Sequence, residues 1–210
     1  MGGRFMSRAD LAEKRDEILQ IIRDAAIAEF AAHGFSGAST QGIAARAGIT
    51  KNRLHYYITS KDDLYADALR HIVKLWDDLF HGIDMSQGPE AFLREYISRK
   101  LHHVLAQPEI ARMFTAEIMR GAPVLRGLWQ PAREATLRAA QVVEGWVEAG
   151  LIRPVDPILL QMHIWALTQH HVLHSAETAF MLGLSSEAEL DPDHLTEEIV
   201  ALVINGLRPS

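Results

Sequence analysis

Residues 39–61, STQGIAARAGITKNRLHYYITSK, read as two short helices meeting at a glycine turn. Ser39 is placed to cap the first, because its hydroxyl can accept from an otherwise unpaired backbone N–H. Ile43, Ala44 and Ala47 follow as an apolar stripe at helical spacing. Gly48 is a stop that tolerates the left-handed conformation. Thr50 is placed to cap the second helix, and Leu54 and Ile58, four apart, turn it inward. Small side chains at Ala44, Ala45 and Ala47 let the two helices cross closely. Lys51, Asn52, Arg53, His55 and Tyr56 are left facing outward. The pattern is a helix-turn-helix. Lys51 and Arg53 supply phosphate charge and donors for a guanine edge, and Asn52 has the amide that pairs with an adenine edge. The plain alternative is a solvated helix face with tyrosines packed at its end. Four polar or basic positions, Thr50–Arg53, ahead of the His55-Tyr56-Tyr57 cluster argue against it.

The stretch IAARAGITKNRLHYYITSKDDL, residues 43–64, resembles the DNA-binding signature of the tetracycline-repressor (TetR) family of bacterial regulators. In that family a glycine turn, a recognition helix ending in Tyr and a Ser-Lys opener for the next helix recur. The resemblance implies that Lys51, Asn52, Arg53, His55 and Tyr56 face bases or phosphates. It also implies that Tyr57 and Lys61 contact the DNA backbone. Ser39 and Thr50, at the helix starts, complete the candidate DNA-binding set. The chain departs from the pattern at Ala38, Ile58 and Thr59, where Thr, Phe and Pro are usual. His55 replaces the common Tyr at a reading position, so the operator cannot be borrowed from a relative.

Composition is compatible with such a protein. A chain of 210 residues with 48% hydrophobic content can bury a full core as one or two domains. It has no cysteine, which excludes disulfides and thiolate metal sites and fits a reducing compartment. The start, MGGRFMSRADLAEKRDE, turns charged at once, and no run of 18 apolar residues occurs. A soluble, cytoplasmic protein is expected. The net charge of −6 divides unevenly: residues 1–65 carry +1 and the remainder −7. Positive charge is thus held beside the helix-turn-helix while the rest repels DNA. Arg4, Arg8, Lys14 and Arg15 are candidates for an N-terminal arm over DNA, the alternative being a disordered tail.

Helical patterns fill the chain, with no credible strand. A first helix is expected over 10–33, ending at Gly34. After the helix-turn-helix a fourth begins near Ser60-Lys61-Asp62-Asp63, its carboxylates favoured by the helix dipole. Further helices are expected over 89–106, 108–120, 124–149, 157–182 and 192–206, bounded by Gly and Pro. The fold class is therefore all-α. A three-helix DNA-binding domain occupies residues 1–65, and a helical bundle for effector binding and dimerisation occupies 66–210.

In the second part, REYISRKL, FTAEIMRGAPVL, GWVEAG, PVDPILLQMHIWALTQH and NGLRP resemble the pyrimidine-utilisation repressor branch of the family. That branch implies a free pyrimidine base, uracil or thymine, as the effector whose binding releases DNA. The positions matching its pocket are Trp76, Trp165 and Gln169. Trp165 and Gln169 are i, i+4, so ring and amide project from one helix face. An indole offers a flat apolar surface, and an amide offers both donor and acceptor for a pyrimidinedione edge. Met113, Phe114, Glu117, Met162 and His170 complete the candidate pocket. The alternative is that both tryptophans are core and Gln169 bonds a carbonyl across a dimer.

His170 and His174 also stand i, i+4, the spacing at which two imidazoles share a metal, with His163 and His171 on the same helix. A metal-responsive regulator is thus an alternative, although no Cys or nearby carboxylate completes a ligand set; no metal or cofactor is expected. An all-α enzyme is a remoter one, since no nucleophile–base pair, paired carboxylates or phosphate loop occurs at a recognisable spacing. A single helix-turn-helix makes too few base contacts for genomic specificity, so a homodimer on a palindromic double-stranded operator is expected. The helices expected over 157–182 and 192–206 carry Leu160, Ile164, Leu167, Val172, Ile199, Val200, Val203 and Ile204, some of which are expected to face the partner in a four-helix interface.

Overall fold

The computed structural model describes residues 8–79 and 82–209, and every regular element among them is helical. The chain runs through α1 (Arg8–Gly37), α2 (Thr40–Arg46), α3 (Lys51–Tyr57), α4 (Lys61–Asp78) and α5 (Gly88–Ala106). It continues through α6 (Pro108–Met119), α7 (Trp129–Glu148), α8 (Pro157–Leu173), α9 (Ser175–Met181) and α10 (Pro192–Leu207). None of the described helices is long and apolar enough to cross a membrane. Arg4 of the expected arm lies outside the described residues. Arg8, Lys14 and Arg15 belong to α1, which starts two residues before the expected Asp10. Helical conformation is left at Gly34 (φ 65°, ψ 175°), where the first helix was expected to end.

Two cores organise the chain. The first joins Ile22, Ala26 and Phe30 of α1 to Ile43, Ala44, Leu54, Leu64, Leu69 and Ile72, and also takes in Ile110 and Met113 of α6. The second joins Phe92, Tyr96, Ile97 and Leu101 of α5 to Trp146, Ile164, Ile199 and Val203. α4 passes unbroken through the expected division at residues 65 and 66, and α6 packs against α1.

Two expected helices are interrupted. Residues 124–149 form a short 3₁₀ turn, Leu125–Leu128, and then α7. The turn is pinned because Glu117 Oε1 accepts the N–H groups of Val124 (2.7 Å) and Leu125 (3.4 Å). Residues 157–182 divide at His174 (φ −119°, ψ 33°) into α8 and α9. The buried Ser175 hydroxyl there donates to Glu187, drawing α9 toward the 3₁₀ turn Glu187–Glu189.

The apolar residues expected at a dimer interface are mostly intramolecular. Ile164, Val172, Ile199, Val200 and Val203 are buried within the subunit. Leu160, Leu167 and Ile204 are half-buried against the same cores. The outward apolar side chains of α8 and α10 are instead Leu159 and Leu202, 51% and 65% exposed.

Candidate functional site

The helix-turn-helix assembles as its caps dictate. Ser39 Oγ accepts from Gly42 N at 2.9 Å, and Thr50 Oγ1 accepts from Arg53 N at 3.2 Å. Between the helices Gly48 adopts φ 65°, a conformation that a side chain would strain, and Ile49 N returns to Ala44 O at 3.0 Å. Leu54 is fully buried, while Ile58 ends α3 in extended backbone and packs on the first core. Ala44 is buried at the crossing and Ala47 half-buried, but Ala45 faces solvent.

Lys51, Asn52, Arg53, His55 and Tyr56 are all exposed on one short helix. Tyr57 is half-buried, packed on the first core and edge-on to Tyr56 at 5.1 Å. Lys61 differs from expectation. Its Nζ donates to the carbonyls of Phe35 (2.9 Å) and Ala38 (3.2 Å) and lies over the Phe35 ring. That ammonium ties the start of α4 to the end of α1 and is already committed within the protein, rather than turned toward a phosphate.

A second polar joint was invisible in the sequence. Glu29 is buried, yet its Oε2 accepts from Arg46 Nε at 2.8 Å and Oε1 accepts from Ser39 N at 3.4 Å. The Arg46 hydrogen bond holds its carboxyl below the usual carboxylate range, against the opposing effect of burial. Gly42 gives this carboxylate its room, since a Cβ there would lie 2.1 Å from Glu29 Oε1.

A cavity of about 540 Å³ opens where α4, α5, α6, α7 and α8 converge. Trp76, Phe114, Trp165 and Gln169 line it, as expected. Trp76 and Phe114 rings meet at 4.2 Å, and the Trp165 indole N–H donates to Tyr96 Oη at 2.9 Å. The Trp76 indole nitrogen is buried with no hydrogen-bond partner among the described residues. Burial pushes the Tyr96 phenol far up, so its hydroxyl stays neutral.

The other four expected pocket residues do not line the cavity. Met113 is fully buried in the first core, and Met162 and His170 lie elsewhere on α8. His170 stacks on His174 with ring centroids 4.6 Å apart. His174 Nδ1 in turn lies 3.3 Å from Glu177, and no cluster of three or more His, Asp or Glu able to hold a metal occurs among the described residues. Glu117 is wholly buried behind the cavity wall. Beyond the two N–H groups already described, it accepts from Tyr65 Oη of α4 at 3.1 Å and lies 3.5 Å from Arg120. That burial, with the Glu117 charge beside it, pushes the Tyr65 phenol up to about 12. Glu117 thus joins the 3₁₀ turn that walls the cavity to the helix leading back to α3.

Tyr96, Lys100, Trp129 and Thr136 line the cavity and were missed. For Lys100 a signal existed: Phe92, Leu93, Tyr96, Ile97, Lys100, Leu101 and Val104 form one buried stripe of α5, and a cation interrupts it. Lys100 Nζ lies 5.0 Å from the centroid of the Trp76 ring and 5.8 Å from that of Trp165.

A helix-turn-helix with an exposed reading helix, joined by one continuous helix to a mostly apolar cavity, defines a ligand-sensing DNA-binding regulator. The family model for bacterial regulatory proteins of the tetR family matches residues 22–68, and that for the C-terminal region of YcdC-like proteins matches residues 69–210. The chain belongs to the TetR family of transcriptional regulators. It is 32% identical over 204 residues to the HTH-type transcriptional regulator RutR of Escherichia coli strain K12, covering 97% of this chain and 94% of that protein. It is 30% identical over 152 residues to the HTH-type transcriptional repressor SCO4008 of Streptomyces coelicolor, covering 70% of this chain and 76% of that one. The fold is also that of AibR, whose crystal structure holds isovaleryl coenzyme A and operator DNA. That likeness has a TM-score of 0.64 at 18% identity over 88% of this chain and 97% of AibR. The protein is a regulator of transcription and not an enzyme.

Proposed function

We propose that this regulator is a repressor that binds a palindromic operator as a homodimer and leaves it when a pyrimidine base such as uracil or thymine enters the cavity. One observation carries the reading: Trp76 of α4 meets Trp165 and Gln169 of α8, far from it in sequence, at a single cavity. Two indole faces and an amide suit the flat ring and the alternating donor and acceptor edge of a pyrimidinedione. The likeness of the C-terminal segments to the pyrimidine-utilisation branch supports the same choice.

On the DNA side, α3 enters the major groove with Arg53 directed to a guanine edge and Asn52 to an adenine edge. Lys51, His55 and Tyr56 reach adjacent bases or phosphates, and Tyr57 a phosphate at the groove margin. The partner subunit docks on the outer face of α8 and α10, where Leu159 and Leu202 are exposed. An effector favouring one pose of α4 changes the separation of the two reading helices, and so their fit to half-sites one helical turn apart. A preference of about 3 kcal/mol for the DNA-incompetent pose weakens operator binding by about two orders of magnitude.

The test is a gel shift with promoter fragments from the source genome. Salt-sensitive binding to a discrete fragment, reversed by uracil or thymine and weakened about tenfold or more by Arg53→Ala, is expected. Equal affinity for every fragment, or uracil and thymine without effect, overturns the reading.

A further inference from the structure

The following inference rests on the cavity being the effector site and narrows the charge of its occupant. Among the described residues, three side chains of formal charge line the cavity, Arg70, Lys74 and Lys100, and all three are cations; no carboxylate of the described residues lines it. Arg70 and Lys74 are exposed on α4, and Arg70 has Asp67 at 3.7 Å. Lys100 is different. It is 3% exposed, its ammonium lies over the rings of Trp76 and Trp165, and the side-chain oxygens that share the cavity with it, on Tyr96, Thr136 and Gln169, are all uncharged.

Burying a cation without a counter-charge is costly, and proteins avoid it unless something repays the cost. The two indole faces repay part of it, through attraction between cation and ring. Desolvation still brings the ammonium down to about 8, so it remains mostly protonated at neutral pH. A neutral base would give it an acceptor and leave the charge uncompensated. An anion would complete a charge-assisted pair inside a mostly apolar enclosure.

We propose that the cavity accepts, in preference to the bare base, its ring acid, a pyrimidinedione carboxylate in class, whose ring lies against Trp76 and Trp165 and whose carboxylate seats on Lys100. The cavity has the volume for it, falling within the range of pockets that hold drug-sized ligands. Lys100 is then the residue that separates the acid from the neutral base.

Calorimetric titration of the full chain at neutral pH with uracil, uracil-6-carboxylate and benzoate tests this. The carboxylate is expected to bind at least about tenfold more tightly than uracil. Lys100→Met is expected to erase that margin, bringing the ratio of the two affinities to about one. Lys100→Gln, which keeps a polar head without the charge, should behave alike and serves as the second variant. Uracil binding as tightly as its carboxylate, or a margin that survives Lys100→Met, overturns the inference and leaves the pyrimidine reading standing. Benzoate binding that depends on Lys100, with neither pyrimidine bound, overturns the pyrimidine reading and leaves the anion in place. Binding of no carboxylate at all overturns the inference outright.

Discussion

At position 100 an ammonium occupies a place on α5 where the surrounding stripe is aliphatic or aromatic. Its ordinary value of 10.5 falls to about 8 on folding, so the unfolded chain holds that proton more tightly than the native one does. The stability attached to this group is fully present above about 10.5 and is lost as pH falls through about 8. The effector-free wild type should therefore gain stability between pH 7 and 10 relative to Lys100→Met, and the variant should be the more stable of the two at pH 7. Urea unfolding at several pH values measures both, with a gap of about 1–3 kcal/mol expected at pH 7. A variant less stable at pH 7 would show the ammonium to be well solvated. Residue-level legibility was uneven for a physical reason. Trp76, Trp165 and Gln169 were legible through the resemblance to the pyrimidine-utilisation branch, since spacing alone fits core tryptophans equally well. Lys100 and Tyr96, themselves i, i+4, were passed over because a lysine on an amphipathic helix usually points to water. Glu117 was read as a ligand contact, whereas its acceptors are consumed by Tyr65 and two backbone N–H groups.

At the scale of elements, the α2–α3 unit depends on a contact with α1 that no local pattern announces. Gly42→Ala would push the Glu29 carboxylate off Arg46, because the added Cβ would lie 2.1 Å from Oε1 and the carboxylate must shift to make room. A loss of about 1–3 kcal/mol is expected, read as a lower melting temperature and as unfolding at a higher pH on acidification. The sign follows from the lowered carboxyl: its stabilisation is present above the unfolded value of 4.5 and disappears as pH falls through the folded one. An unchanged acid profile would mean that Glu29 contributes nothing. Helix existence was legible almost everywhere, since caps and stops such as Ser39, Thr50, Gly48, Pro108 and Pro157 act within a few residues. The breaks at residues 125–128 and 174 were not. Both are held by side chains outside the broken segment, Glu117 and Glu187, although Gly127 and Pro131 offered a local signal for the first.

For the whole molecule, operator reading requires two copies of α3 held at a fixed distance, and the proposed dimer face supplies that ruler. Leu202→Glu places a charge on the outer face of α10, where the side chain is 65% exposed in the single subunit. The subunit itself should keep its fold, while light scattering should report monomers. Operator affinity should fall by about two orders of magnitude or more, because two half-sites are no longer bound together. A dimer that persists unchanged would move the interface elsewhere. Of the apolar residues expected on these helices, Ile164, Ile199, Val200 and Val203 are already covered within one subunit's second core, which a pattern of apolar spacing does not reveal.

α4 contributes Leu64, Leu69 and Ile72 to the first core and Val73 and Trp76 to the cavity, all along one uninterrupted rod. Adding or deleting a single residue between 64 and 76 would rotate everything beyond it by about 100° and shift it by about 1.5 Å. Either the groove-reading module or the cavity would then lose its register. Relatives of this chain should accordingly accept insertions in the connection at 82–87 and preserve the spacing within α4 to the residue, a genetic signature of mechanical coupling that no point substitution displays.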